Sequence, residues 1–413
     1  MTLQADPERI RTHIECLAKY NATPGYGITR MTFSEQDREA RAYLLKEMKS
    51  LELSIKFDGA GNIRARMEGC DPKKAPVMTG SHIDTVFHGG KYDGAAGVVS
   101  ALEAMRLIRD AEIIPDRPLE LVIFAEEEGP NFGSPLAGSK AMIGLYTAER
   151  LKKLVNEKGK SMYEAAQDAG FYPDRLIEEV KRPGDISAMI EVHVEQSLVL
   201  DSEGISLGIV SGIAGMRWAK VTIRGESNHA GATPMRYRRD AMAGAAELVS
   251  AVESAAGEFS NTAVATAGKL ICKPNVPNVI PHTVELYLDV RDVKREGMLR
   301  VLDRIKREAE RICKKRNLEL DIDIQGSTEP TECSDRIIDS LKKAATGQGI
   351  KYLEMTSGAL HDTAVLASIT DIGMLFVPSI KGRSHVPEEE TAVEDIAKAA
   401  EVLTDTILQL SSC

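Results

Sequence analysis

GSHIDTVFHGGKYDGAAGV, residues 80–98, sets His82, Asp84 and Asp93 among glycines between an apolar run and a helical repeat. Upstream, residues 75–79 read as a short buried strand; downstream, Val98, Ala101, Leu102, Met105 and Ile108 recur at helical spacing. The polar residues therefore fall on a strand-to-helix connection, where open α/β sheets place their sites. His82 offers an imidazole nitrogen and Asp93 two carboxylate oxygens, ligand types that suit zinc, manganese or cobalt. Asp84, two residues beyond His82, is placed to take the proton of the other ring nitrogen and fix the tautomer. One histidine with nearby aspartates is ordinarily only a polar loop, so the reading depends on what answers it elsewhere.

Working outward, the apolar run LELVIFA at 119–125 ends abruptly in Glu126, Glu127 and Glu128. Three acids leaving a buried strand are costly unless something pairs them. The strand-like stretch 188–196, AMIEVHVEQ, carries His193 near its end, so another ligand type sits on a strand. Helices are expected over 6–20 and over 34–51, the latter opened by Ser34 and Asp37, with strands over 62–67 and 77–80. Residues 146–181 read as peripheral and helical, with a turn at 170–173. Past Gly208 the character changes: a strand at 218–223, an Ala-rich helix at 239–259 and a strand at 284–290. A helix through Leu302, Ile305, Ala309 and Ile312 follows, then an alternating strand at 318–324. That is a ferredoxin-like β-α-β-β-α-β unit inserted at 210–327. Afterwards the α/β pattern resumes with a helix from 334, a loop at 356–362, a buried strand at 372–377, GRSHVP at 382–387 and a closing helix at 391–410. The expectation is a two-domain α/β protein: a catalytic domain built from 1–209 and 328–413, and the insert between them.

Composition narrows the function. A chain of 413 residues exceeds what one core usually organises. With a net charge of −10 it repels phosphate backbones and anionic lipid, and at 5% aromatic it has little stacking surface for single strands, so neither nucleic acid nor membrane is an expected partner. The N-terminus has no apolar targeting stretch and no run reaches 18 apolar residues, which reads as a cytoplasmic protein. Cys16, Cys70, Cys272, Cys313, Cys333 and Cys413 lie far apart with no CxxC and read as free thiols. Residues 204–208, GISLG, fit a G-x-S-x-G elbow, but IVSGIAGM follows where a helix is required, which argues against a serine hydrolase. No nucleotide-binding glycine motif is present.

Taken in order, GSHIDTV, GGKYDGAAGV, FAEEEG, EVHVEQ, NHAGATPM, NVIPH, LDVRD, SGALHD and GRSHVP resemble, along the whole chain, the M20 family of metal-dependent amidohydrolases and peptidases. The resemblance is closer to the amidase branch of N-carbamoyl-L-amino acid hydrolases, β-ureidopropionases and allantoate amidohydrolases, because HVEQ stands where M20 peptidases commonly carry an acidic ligand. It implies a metallo-exopeptidase-like catalytic domain with an inserted dimerisation domain, a homodimer, and two divalent ions per chain (zinc, manganese, cobalt or nickel). By the same resemblance Asp93 bridges the ions, His82 and His193 hold one, Glu128 and His385 the other, and Glu127 is the general base. His229 is the expected oxyanion-stabilising residue, commonly contributed by the neighbouring subunit. Asn278 and Arg291 are expected to hold the substrate carboxylate, with Gln196, Gly358 and His361 completing the pocket; from local sequence alone a structural Arg291, paired with Asp289 or Asp292, is as good a reading as a carboxylate-binding one. Asn131, Ser197 and Leu360 depart from the branch, where Arg, Gly and a small residue are usual, and these bear on the pocket rather than the metals. The implied substrate is an N-carbamoyl-L-amino acid or β-ureido acid, with allantoate next and a dipeptide or N-acyl amino acid third. A catalytically idle binding protein is disfavoured by the intact Glu127.

Overall fold

The computed structural model describes residues 3–412, so Cys413 lies outside the described residues. The chain divides into two compact units, one comprising residues up to 211, 333–355 and from 361 onward, the other 212–332 with 356–360.

In the first unit the strands are β1 (Ser54–Phe57), β2 (Ile63–Met67), β3 (Val77–His82), β4 (Leu119–Phe124), β5 (Ala188–Val194) and β6 (Leu207–Ile213). The second unit holds β7 (Gly215–Arg224), β8 (Val264–Lys273), β9 (Thr283–Asp292), β10 (Glu319–Thr328) and the two-residue β11 (Thr331–Glu332); β12 (Tyr352–Ser357) and β13 (Ile372–Val377) follow. The first unit's sheet runs β1-β2-β4-β3-β5-β13-β6, with β12 pairing β6. Its centre is parallel, β4 with β3, β3 with β5 and β5 with β13, and every residue of those four strands is buried. That is why they read as continuous apolar runs rather than alternating ones. Helices Ala95–Asp110 and Val393–Ser411 pack on each other over this core.

The second unit is an antiparallel sheet in the order β10-β7-β9-β8. Helices Ala241–Phe259 and Arg295–Arg316 cover one face through Leu248, Val252, Val301, Ile305 and Ile312. The order β-α-β-β-α-β with the fourth strand beside the first is the ferredoxin-like arrangement expected from sequence. Burial alternates residue by residue along β9, as one covered face demands.

Two local readings change. Residues 146–181 are not continuous helix but the short helices Ala148–Leu151, Met162–Asp168 and Leu176–Glu179. Asn156 and Gly159, at φ 79°, form a turn that interrupts them. β8 escapes a hydrophobic reading because it is an exposed edge with a register shift between Ala267 and Lys269. As the sequence indicated, no helix follows Ser206: strand β6 begins at Leu207, so there is no nucleophile elbow. Among the described residues all five cysteines are free, and no helix is long and apolar enough to cross a membrane.

Candidate metal and active site

His82 is the last residue of β3, His193 the penultimate residue of β5, and Glu126–Glu128 follow β4 directly, so three neighbouring strands deliver their polar residues at their C-terminal ends. Asp93 arrives from the loop before helix Ala95–Asp110, whose entry residue Gly94 has φ 63°. A Cβ there would lie 2.5 Å from the His82 ring, so only glycine lets the loop close over the imidazole. His385 comes from the loop after β13.

These side chains converge on Asp93. His193 Nε2 lies 3.2 Å and His82 Nε2 3.5 Å from Asp93 Oδ1. On the other oxygen, His385 Nε2 lies 3.2 Å from Oδ2 and 3.3 Å from Glu128 Oε1. Two groups with metal-ligating geometry, His82–Asp93–His193 and Asp93–Glu128–His385, therefore share one carboxylate. The donor chemistry fits divalent cations. His82 Nδ1 donates to the Asp84 carbonyl at 3.0 Å and His193 Nδ1 to the Val194 carbonyl at 2.9 Å. Carbonyls only accept, so each Nδ1 is fixed as the donor and Nε2 is the nitrogen left facing the centre. His82 Nε2 and Glu128 Oε1 are buried with no hydrogen-bond partner.

Glu127, 7% exposed, sits beside this centre with Oε2 3.7 Å from His82 Nε2. Burial first, then Glu128, Asp362 and Asp84, holds its carboxyl well above the usual range despite His82. Glu128 is pushed up to about 7, by burial and then by Asp93. Burial would also raise Asp93, but His193, His385 and His82 together hold it well below the carboxylate range. Hydrogen bonding to Asp93 lifts His385 to about 9. So many buried acids around three imidazoles is the charge pattern that a bound cation neutralises.

The Asp84 carboxylate does not hold the His82 ring; its Oδ1 is 3.8 Å from Nδ1, and the main-chain carbonyl makes that bond instead. The carboxylate accepts the backbone N–H of Glu127 at 3.2 Å and of Glu128 at 3.1 Å, fixing the turn that carries both acids. Gln196, at φ 60°, donates to Asp93 Oδ2 at 2.8 Å and lies 3.2 Å from His385 Nε2. His361 is buried against His193, ring centroids 4.5 Å apart, and burial holds its pKa well below the ordinary imidazole value. Sequence reasoning missed Glu389. Its Oε1 accepts the N–H of Tyr92 and Asp93 at 2.9 Å each, and Ser384 Oγ lies 2.8 Å from its Oε2 and 3.1 Å from Asp93 Oδ2. Nothing local in the run Glu388–Glu390 marks its middle acid as a support for Asp93.

The remaining predicted residues belong to the second unit. His229 Nδ1 accepts the N–H of Gly231 at 3.0 Å and Ala232 at 3.2 Å, so the ring hydrogen sits on the exposed Nε2 as a donor. Asn278 lies alongside, its carbonyl accepting the Ala230 N–H. Arg291 forks Asp289 through Nε and Nη2, both at 2.9 Å, and donates from Nη1 to the Gly358 carbonyl at 2.8 Å. Of the two pairings open to Arg291 from sequence, Asp289 is the one made; Asp292 instead receives Thr262 Oγ1 at 2.6 Å.

The chain matches the model of peptidase family M20/M25/M40 over residues 78–409 and belongs to that family. It is 38% identical to an N-carbamoyl-L-amino-acid amidohydrolase of Paenarthrobacter aurescens, covering 98% of each chain. An allantoate amidohydrolase of Bacillus subtilis is 34% identical over 97% of each. A hydantoinase/carbamoylase family amidase of Burkholderia multivorans, known as a crystal structure, superimposes with a TM-score of 0.95 at 30% identity over the whole of both chains. Enzymes of the family are generally metal-dependent, in keeping with the ligand groups here.

Proposed function

We propose that this protein is a dinuclear metal-dependent hydrolase that cleaves the ureido C–N bond of an N-carbamoyl-L-amino acid or β-ureido acid, giving the amino acid, ammonia and carbon dioxide. The observation that carries this reading is the single Asp93 carboxylate shared by two ligand groups with Glu127 beside them. His82, His193 and Asp93 would hold one ion and Asp93, Glu128 and His385 the other. Bound there, two divalent ions supply a water of lowered pKa and polarise the carbonyl. Glu127 takes the water's proton and passes it to the departing nitrogen, a role its place beside the centre suits. Asp84 keeps Glu127 and Glu128 from exchanging places, and Gln196 orients Asp93. His229, with its hydrogen on Nε2, is assigned to the oxyanion. Arg291 is assigned to the substrate carboxylate through the guanidinium edge opposite Asp289, with Asn278.

The relatives' names favour carbamoyl amino acids first; ureidoglycolate hydrolases and allantoate amidohydrolases follow, and allantoate shares the carboxylate and ureido groups. A panel of N-carbamoyl amino acids, allantoate and dipeptides, run with manganese, cobalt or zinc, decides between them; turnover of dipeptides alone would overturn the reading. We further propose a homodimer in which His229 serves the partner's site. Mixing His229→Ala with Glu127→Gln chains then restores activity, because one site per mixed dimer is complete. A fully active monomer would refute it.

A further inference from the structure

Away from the metal centre, the outer strands of the first unit border a cavity of about 1130 Å³ that includes none of the residues discussed above as site residues. In a chain of net charge −10 its lining carries nine basic against six acidic side chains. The acids are occupied. Asp37 pairs Arg41, Asp58 accepts from Asn62, Glu179 accepts the Gly59 N–H, and Glu120 lies between Arg64 at 3.7 Å and Arg66 at 3.4 Å. Five of the nine cations are not: Arg38, Lys56, Lys73, Lys74 and Lys181 make no side-chain hydrogen bond or ion pair among the described residues.

Two of these are placed at a cost. Lys56 of β1 stands directly opposite Arg64 of β2, a like-charge cross-strand pair that destabilises a sheet unless an anion lies between. Lys181 is half-buried, and burial first, then Arg64, holds its ammonium pKa below the ordinary value despite Glu120 and Asp185, with Lys56 adding to the effect. One wall is aromatic: Phe171 lies 5.8 Å from Phe33 and 5.9 Å from Phe57, whose ring residue is 44% exposed. A surplus of unpaired cations beside an open aromatic surface, in a cleft of small-molecule size, suits a ligand with one anionic and one flat apolar end.

We propose that this cavity is a second small-molecule site that takes an organic phosphate carrying an aromatic or heteroaromatic ring. The phosphate lies among Lys56, Arg64 and Lys181, where it relieves their mutual repulsion, and the ring lies on Phe57 and Phe171.

Titration calorimetry on the metal-loaded protein tests this with AMP and inorganic phosphate as probes. AMP binds saturably and more tightly than phosphate. Lys56→Glu, an exposed change that leaves folding intact, and Lys181→Gln each weaken AMP by about tenfold or more, while Phe57→Ala brings AMP down to the affinity of phosphate. No saturable AMP binding up to about 10 mM would overturn the proposal. So would an AMP affinity unchanged by Lys56→Glu and Lys181→Gln, which would place the anion on the metals. Equal affinity of wild type for AMP and phosphate would overturn the assignment of the ring.

Discussion

The first unit takes His82 and His193 from strands buried on both faces and Asp93, Glu128 and His385 from the loops at their ends, whereas the second places His229, Asn278 and Arg291 on loops and on a strand with one covered face. In the first, Asp93 is 5% exposed and is gripped by Gln196, by Ser384 and, through its backbone, by Glu389. In the second, the Arg291 and Asp289 side chains are about one-third exposed, and the His229 ring accepts from the backbone N–H groups of its own turn. The difference fits the two tasks proposed for these residues. Metal ligands must be fixed before anything binds, because closely spaced buried charges tolerate little displacement. Groups that read a substrate gain from lying where water and ligand can exchange.

The largest expected effect breaks the buried side. Glu127→Gln should retain metal by elemental analysis while kcat falls about 10³-fold or more. Glu128→Ala should instead lose metal from one site, and chelation should abolish turnover with far-ultraviolet circular dichroism unchanged. Near wild-type kcat in Glu127→Gln would show that another group moves the proton.

The exposed side is tested by Arg291→Ala, expected to lower kcat/KM by about 2–4 kcal/mol for carboxylate substrates. Arg291→Lys should also be damaging, since an ammonium lacks the parallel donors. Wild type should reject a substrate amide lacking the carboxylate, while Arg291→Ala should hardly distinguish amide from acid. If both proteins discriminate equally, the bond to Asp289 is the whole role of Arg291.

Asp58 sharpens the comparison within the buried unit. Burial raises its carboxyl to about 6 even though Asn62 bonds to it. The folded state thus prefers the protonated form, so this contribution is fully present below the ordinary value of 3.8 and is lost as pH rises through about 6. The shift corresponds to about 3 kcal/mol. Denaturant titrations at pH 4 to 8 should show wild type losing stability relative to Asp58→Asn, and parallel profiles would sink the assignment.

The smallest effect expected is that of Asp84→Asn, which weakens one of the two bonds holding the Glu127–Glu128 turn and should reduce metal affinity about 10–100-fold. An unchanged metal dissociation constant would show that the turn holds itself.

What sequence revealed and what it hid divide along the same physical line. His82, Glu127, His193 and the strand at 372–377 were legible because an apolar run that stops at a polar residue is a local signal. The insert was legible as a change of period. Glu389 was hidden because it supports Asp93 from 296 residues away, and no spacing rule spans such a distance. Asp84 was placed near the right residues but with the wrong partner, because main chain and side chain compete for the same ring nitrogen. The helices at 146–181 were over-read because helical spacing says nothing of the Asn156–Gly159 turn.

The position of β13 between β5 and β6 has a consequence for how the molecule is made. A chain emerging from the ribosome has the first ligand group in hand once His193 is out, yet the second waits for His385. Until residues 372–377 appear, β5 and β6 each present an unpaired edge in the middle of the future sheet, with apolar side chains on both faces. Such an edge invites pairing with another nascent chain. The proposed metal centre is therefore completed by the same late segment that closes the sheet, and a stalled or shortened chain would lack the second ligand group while exposing an edge that pairs with other chains.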